Sequence, residues 1–241
     1  MPNHVTNNLE FRCSASRCQE ILEYLRVDGK PLGSVDFNKL IPMPESLNIE
    51  SGSRGSEGCR LYEEYLKEAK TAGSNAERDQ IYQKYVAMCA NDPHMLELGK
   101  QYYENLRDYG ATTWYDWSID HWGTKWNAYD WYPVDSGNDF ISFNTAWSPV
   151  PKLIKVLSEK FPEVKIRYSW ADEDIGFNVG IMEFKQGRTI FQDIPEGGTS
   201  HAYEIACDVQ GYDISEFIDD IREICDSEPD HKTTSKSQDE R

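Results

Sequence analysis

The chain has 241 residues, an apolar share of 39% and a formal net charge of -17. This length and apolar content suit one large domain with a packed core, and the acidic balance disfavours contact with nucleic-acid phosphates or membrane surfaces. No apolar run is long enough to span a bilayer, and no signal-peptide pattern opens the chain, so a soluble, cytoplasmic protein is predicted.

The first part of the chain predicts two strands and one helix. Apolar side chains alternate over residues 4–11, which favours a strand. A Ser-x-x-Gln capping box opens a helix predicted over residues 16–27. Residues 35–41 predict a second short strand, which Pro42 and Pro44 end.

Residues 57–121 have a helical pattern, with apolar side chains at helical spacing in three consecutive segments. A second capping box starts at Ser74, and Asp92 with Pro93 predicts the start of the third helix. The chain is therefore expected to carry a helical insertion at about 56–122.

Strand character returns over residues 139–147, followed by a helix from Ser148 to about Phe161 and a strand over 164–168. A hairpin is predicted around Gln186 and Gly187. Residues 199–210 fit a helix or a strand, and a helix is favoured.

A last helix is predicted from Asp213, with Phe217, Ile218, Ile221 and Ile224 buried. Residues 226–241 lack an apolar pattern and are expected to be disordered.

Without the insertion, the predicted order is strand, helix, strand, strand, helix, strand. This order is that of the split βαβ, or ferredoxin-like, plan, with an antiparallel sheet and helices on one face. The predicted class is α+β, as a single domain over 1–225 with the helical insertion and an added C-terminal helical segment.

Five of the seven tryptophans fall within residues 114–132, interleaved with aspartates and tyrosines. Such a cluster is either a local core or a recognition surface, because Trp combines a large apolar area with a donor that needs a partner. The predicted binding residues here are Trp114, Trp117, Trp122, Trp126 and Trp131.

Four short strings carry a resemblance to a known family: MPNHVTN at 1–7, FNKLIPMP at 37–44, WGTKWNA at 122–128 and TAWSP at 145–149. Together they are similar to the YubB-like ferredoxin-domain proteins of phages, plasmids and integrated mobile elements. The resemblance covers most of residues 1–215. It implies a ferredoxin-like fold without an iron–sulfur cluster and a mobile-element origin, and it carries no catalytic residues.

The best acid–base candidate is His121 with Asp116 or Asp120, which would make the protein a small hydrolase or transferase. The competing interpretation is a surface or capping histidine at a helix end before Gly123. The six cysteines are scattered and expected to be reduced, and no metal site or cofactor is predicted.

The acidic charge is concentrated in residues 171–225, which hold 13 Asp or Glu against 3 Lys or Arg. Solubility is the simplest interpretation, and the alternative is a surface for a basic partner. The predicted binding acids are Asp172, Asp174, Asp219 and Asp220. A metal site in the turn at 172–174 is not favoured, because no EF-hand spacing is present.

The favoured function is non-enzymatic binding of a host protein, with inhibition of a defence or nucleic-acid-handling complex. The expected partner has a basic nucleic-acid-binding surface that complements the acidic charge. Binding of single-stranded nucleic acid is the third alternative. It is not favoured, because residues 110–140 hold five Asp and one Lys where stacking sites need a basic groove.

Overall fold

A computed structural model describes residues 3–89, 91–92, 94–219 and 221. The strands are β1 (His4–Arg12), β2 (Phe140–Ala146), β3 (Lys165–Asp172), β4 (Gly180–Lys185) and β5 (Arg188–Asp193). The α-helices are α1 (Ala15–Leu25), α2 (Ser53–Ala69), α3 (Asn75–Met88), α4 (Met95–Tyr109), α5 (Trp114–Trp122), α6 (Pro151–Lys160) and α7 (Ser200–Gln210). Short 3-10 helices lie at Phe37–Lys39, Glu45–Leu47 and Ile214–Phe217.

The five strands form one antiparallel sheet in the order β2-β1-β3-β4-β5. Helix α6 connects β2 to β3 while β1 lies between them, which is the split βαβ arrangement. The predicted α+β class and ferredoxin-like plan are confirmed. Among the described residues, no helix has the length and apolar character that crossing a membrane requires.

Strand alternation builds the main core. Every second residue of β1, from Val5 to Phe11, faces the core side of the sheet. Helices α1 and α6 cover this side with one apolar stripe each, and their buried residues form one cluster with the strands. The predicted β1, α1, β2, α6, β3 and the hairpin of β4 and β5 are present, with shifts of a few residues at their ends.

The strand predicted over residues 35–41 is wrong. Val35 and Phe37 are both buried, but the chain forms the 3-10 helix Phe37–Lys39. The Asp36 side chain caps it by accepting a hydrogen bond from the Asn38 backbone N–H at 2.9 Å, and such local bonds compete with strand pairing. At the outer edge of β2, Tyr129 instead forms an isolated bridge with Asn144.

Helix α7 confirms the helix favoured for residues 199–210, but it lies on the face of the sheet opposite α1 and α6. Its Ile205 and Val209 pack with Ala171 and Val179 in a second apolar cluster. The Asn8 amide, which points away from the main core, donates to the Val209 carbonyl at 2.9 Å. The expectation of helices on one face is therefore corrected to helices on both faces.

The last predicted helix starts as the 3-10 helix Ile214–Phe217, with Asp213 as its cap. Its predicted burial is not found at Ile218, which is 40% exposed. Ile224, Asp220 and the tail 226–241 lie outside the described residues.

Between α1 and β2, helices α2, α3 and α4 surround a small core of their own. Gly58 on α2 faces Gly99 on α4, and a Cβ on either glycine would overlap the backbone of the other helix. The two helices can cross this closely only because both residues lack a side chain.

The helical segment begins slightly earlier than the predicted residue 56, since α2 starts at Ser53. The capping serine Ser74 accepts from the Glu77 backbone N–H at 3.2 Å, as the capping box predicted. The predicted cap at Asp92 is displaced: α4 starts at Met95 with His94 as its N-cap.

Candidate functional site

Helix α5 divides the tryptophan cluster into two groups. Trp117 and Trp122 are 4% and 3% exposed, and they contact each other edge to face within the main core. The Trp122 indole N–H donates to the Ile41 carbonyl at 2.9 Å, which satisfies the donor that a buried indole carries. For these two residues the interpretation as a local core fits best.

Trp114 and Trp126 have a different environment. Both are half-buried, and neither indole N–H has an acceptor among the described residues. Trp131 is also half-buried, and it packs against the main core. The indole N–H groups of Trp114 and Trp126 are therefore available to a partner.

A groove of about 410 Å³ lies between α5, the loop that follows it and the two 3-10 helices of residues 37–47. Trp114, Ser118 and Trp122 form one wall because residues four apart share a helix face. We call it the tryptophan groove; its lining is Asn38, Met43, Asn48, Trp114, Ser118, Trp122, Trp126 and Asn127. None of these side chains is ionisable.

Hydrogen bonds fix one end of the tryptophan groove. The side-chain oxygen of Asn127 accepts from the Phe37 backbone N–H at 2.8 Å, and its side-chain NH2 donates to the Asp36 carboxylate at 2.7 Å. The Asn38 side-chain oxygen accepts from the Met43 backbone N–H at 3.1 Å. Because these contacts hold residues 36–43 and Asn127 in place, a ligand would meet a largely preformed surface at this end of the groove.

Beside the groove, the ammonium of Lys125 lies among aromatic rings. Its Nζ is 4.7 Å from the Trp126 ring centroid, 4.8 Å from that of Trp147 and 5.6 Å from that of Tyr115. We call these four residues the lysine cage. Lys125 forms no ion pair with a carboxylate of the described chain, so the rings hold the charge by cation–π attraction. Trp126 belongs to both the cage and the groove.

The exposed wall of the cage is Trp147, which is 41% exposed and has a positive φ of 69°. A left-handed backbone is uncommon for a bulky residue and marks a position held by its surroundings. The Trp147 backbone N–H donates to the Asn3 carbonyl at 2.9 Å, and its carbonyl accepts from Asn178 at 3.3 Å.

The acidic turn at 172–174 adjoins Trp147 through Asn178, which also donates to the Asp172 carboxylate at 3.0 Å. Asp172 is 5% exposed and accepts further bonds from Asn3 and from the Asp174 backbone N–H. The Asp172 carboxylate is thus hydrogen-bonded within the chain rather than offered to a partner. Glu173 and Asp174 are exposed beside the cage, and Asp219 is exposed at the far end of the described chain.

The acid–base candidates are not arranged as a catalytic pair. The His121 ring stacks on Trp117 with centroids 4.2 Å apart, and its Nδ1 lies 3.0 Å from the Trp117 carbonyl. Asp116 and Asp120 are exposed, and neither carboxylate contacts His121. Over the part of the chain that the structure describes, no cluster of His, Cys, Asp or Glu is placed to hold a metal ion.

Sequence reasoning on the tryptophans alone missed Lys125, Trp147 and the asparagines of the groove. A signal was nevertheless present, because the four strings that carry the family resemblance meet here. Residues 37–44 and 122–128 supply most of the groove, residues 145–149 supply Trp147, and Asn3 binds Trp147.

A family model agrees with the ferredoxin-like fold. Residues 121–215 match a family model described as the ferredoxin-like domain in Api92-like protein. The crystal structure of a protein Api92 from Yersinia pseudotuberculosis is similar at 12% identity, covering 82% of this chain and 99% of that chain, with a TM-score of 0.37. No curated protein matches the chain. The part from the end of α5 through α7 is thus similar to the ferredoxin-like domain of Api92-like proteins.

Proposed function

We propose that the protein is a non-enzymatic binding protein, and that it engages a basic host protein through the tryptophan groove and the surface beside it. One observation carries the proposal. Trp114 and Trp126 present half-buried rings and unpaired indole N–H groups to a groove without ionisable lining. Trp residues of this kind are common anchors of protein interfaces.

The groove and its surroundings suit different parts of a partner. An apolar or aromatic side chain would fill the groove, and a backbone carbonyl of the partner would accept from an indole N–H. Glu173 and Asp174 are exposed nearby, and the net charge of -17 would attract a basic protein and increase its association rate.

A mobile-element origin and inhibition of a host defence or nucleic-acid-handling complex remain part of this proposal. The support for them is the resemblance of the four strings to the YubB-like family, together with the acidic charge. A nucleic-acid-handling protein has the basic groove that such a surface complements.

The experiment is affinity capture from host lysate, followed by titration calorimetry of the purified partner with wild-type protein and variants. We expect Trp126→Ala to weaken binding more than about tenfold, the range of an interface anchor. The matched control is Tyr132→Ala, since Tyr132 is 71% exposed and lies outside the groove. Equal affinity for both variants and the wild type would refute the groove as the contact.

Charge supplies a second readout with the same partner. Asp174→Lys should lower the association rate and reduce its dependence on salt, whereas Asp135→Lys, an exposed acid outside the acidic turn, should have a smaller effect. A partner whose binding is independent of salt and of both reversals would contradict the basic-partner model. Tight binding of a single-stranded DNA oligonucleotide by the wild type would favour the third alternative instead.

A further inference from the structure

The face of the sheet that α7 covers carries a cavity of about 160 Å³. None of its lining residues belongs to the tryptophan groove. It lies beside α7, where the bond from Asn8 to the Val209 carbonyl holds the helix over β1. Its lining is Asn8, Glu10, Phe140, Arg167, Ser169, Ile181, Ile205, Asp208 and Val209. A volume of about this size encloses one benzene-sized body. Because the lining residues Phe140 and Asp208 are exposed, a longer ligand can extend to the solvent side.

Arg167, in the middle of β3, is half-buried in this cavity without a partner for its charge. Its cross-strand neighbours are Glu10 on β1 and Glu183 on β4. Both carboxylates are taken by other cations: Glu10 pairs with Arg12 at 3.2 Å, and Glu183 pairs with Lys165 at 2.6 Å. Among the described residues, Arg167 has neither an ion pair nor a hydrogen bond from its guanidinium.

A carboxylate on the other side of the cavity is also unpaired. Asp208 of α7 is exposed to solvent where it lines the cavity, and it forms no ion pair or side-chain hydrogen bond within the described chain. The cavity therefore holds one unused cation and one unused anion, with the Ser169 hydroxyl beside them. Asn8 and Glu10 of β1 also line the cavity, and the remaining walls are apolar side chains from β2, β4 and α7.

This combination selects between classes of ligand. A plain anion would bind Arg167 but would meet Asp208 and Glu10, and a plain amine would bind Asp208 but would meet Arg167. A zwitterion satisfies both charges, and an apolar body would lie against Ile181 and Ile205. Arginine also presents a planar fork of donors that matches a carboxylate.

We propose that this cavity binds a free α-amino acid with a short apolar side chain, of the leucine or valine type. The carboxylate of the ligand binds Arg167, its ammonium binds Asp208, and its side chain fills the apolar part. The site is independent of the tryptophan groove, so either proposal can fail without the other.

The test is titration calorimetry of the full chain with L-leucine, 4-methylpentanoate, 3-methylbutylamine and glycine. We expect saturable binding of L-leucine with a Kd of about 1 mM or tighter. The three analogues lack the ammonium, the carboxylate and the side chain respectively, and each should bind at least about tenfold more weakly. No saturation by L-leucine up to about 10 mM would overturn the proposal, as would equal binding of 4-methylpentanoate.

Two variants separate the roles of the charges. Arg167→Gln should abolish L-leucine binding and leave 3-methylbutylamine unaffected or improved, because the repelling cation is gone. Asp208→Asn should weaken L-leucine and spare 4-methylpentanoate. Arg188→Gln on β5, outside the cavity lining, is the matched control, and circular dichroism checks that each variant folds. Retention of L-leucine binding by Arg167→Gln would place the ligand elsewhere and overturn the assignment.

Discussion

The sheet core and the core of the helical segment are built from different residues. The main core, between the sheet and helices α1, α5 and α6, is aliphatic with Phe and Trp, and many of its side chains are 0% or 1% exposed. The core of α2, α3 and α4 is rich in tyrosine, and its buried members include Tyr62 at 9% and Tyr85 at 6%.

The difference in residue type follows from how much side-chain surface each set of elements can bury. The three helices enclose fewer side chains than the sheet and its helices do, so tyrosine serves well because its ring is buried while its hydroxyl reaches a polar group. The Tyr85 hydroxyl donates to Glu68 at 3.1 Å, and that of Tyr102 donates to the Glu50 carbonyl at 2.6 Å. In the sheet core, by contrast, stability depends on tight apolar packing.

The largest expected effect is in the main core. Trp117→Ala should destabilise the protein by about 3–5 kcal/mol, because it removes a buried indole and leaves a cavity. Trp114→Ala, on the groove side of the same helix, is the matched control and should cost about 1 kcal/mol or less. Urea unfolding followed by circular dichroism measures both. Similar losses for the two variants would contradict the division of α5 into a core face and a groove face.

The next effect tests the close crossing of α2 and α4. Gly99→Ala should cost about 1–3 kcal/mol, because the added methyl group forces the two helices apart. Gly110→Ala is not a suitable control because Gly110 has a left-handed backbone, whereas Gly52 is extended and has no neighbour that a Cβ would meet. Gly52→Ala should therefore be nearly neutral.

Hydrogen exchange locates the loss. Amide protection should fall in α2, α3 and α4 after Gly99→Ala while the sheet keeps its protection, since the two cores are separate clusters. If protection fell evenly across β1 and β3 as well, the two cores would unfold as one unit and would not be independent.

The smallest expected effect concerns α7, whose buried residues belong to the third core. Hydrogen bonds to Asp193 and then Glu204 raise the pKa of His201 above its ordinary value. A pKa that is raised on folding stabilises the protein fully below the unfolded value of 6.5, and the contribution disappears as pH rises through the folded value.

His201→Gln should therefore lower the free energy of unfolding slightly at about pH 5.5 and leave it unchanged at about pH 8.5. Urea titrations of the wild type and the variant at the two pH values measure the difference in their free energies of unfolding. Because both proteins share their other titrating groups, the contribution of those groups cancels in this difference. A larger loss at the higher pH would reverse the sign and refute the role assigned to Asp193.

The fold could be predicted further than the site. Periodicity identified the sheet strands, because alternation survives wherever one side of a strand is buried, whereas at α7 it fitted both a helix and a strand. It failed at Val35 and Phe37, where buried side chains alternate but the Asp36 cap turns the backbone into a 3-10 helix. A local hydrogen bond decided the conformation there, and hydrophobic pattern does not record it.

For the site, the sequence marked the tryptophans but not their roles. Trp114 and Trp117 differ by less than one helical turn, yet one lines the groove and the other is buried. Which face of α5 meets the core depends on the packing of Trp122 against Phe37, which in turn contacts Phe143 of β2, and both phenylalanines are far from Trp122 in the chain. The lysine cage likewise exists only because Trp147 comes to lie beside Trp126.

The sequence by itself determined the class of the fold, most of its elements and the location of its aromatic and acidic residues. These follow from local rules, since periodicity, caps and turns act over a few residues. The tertiary structure alone decided which tryptophans are exposed, that Asp172 is buried, and that Arg167 and Asp208 share a cavity without partners. Burial and charge pairing depend on contacts between distant segments, which no local pattern specifies.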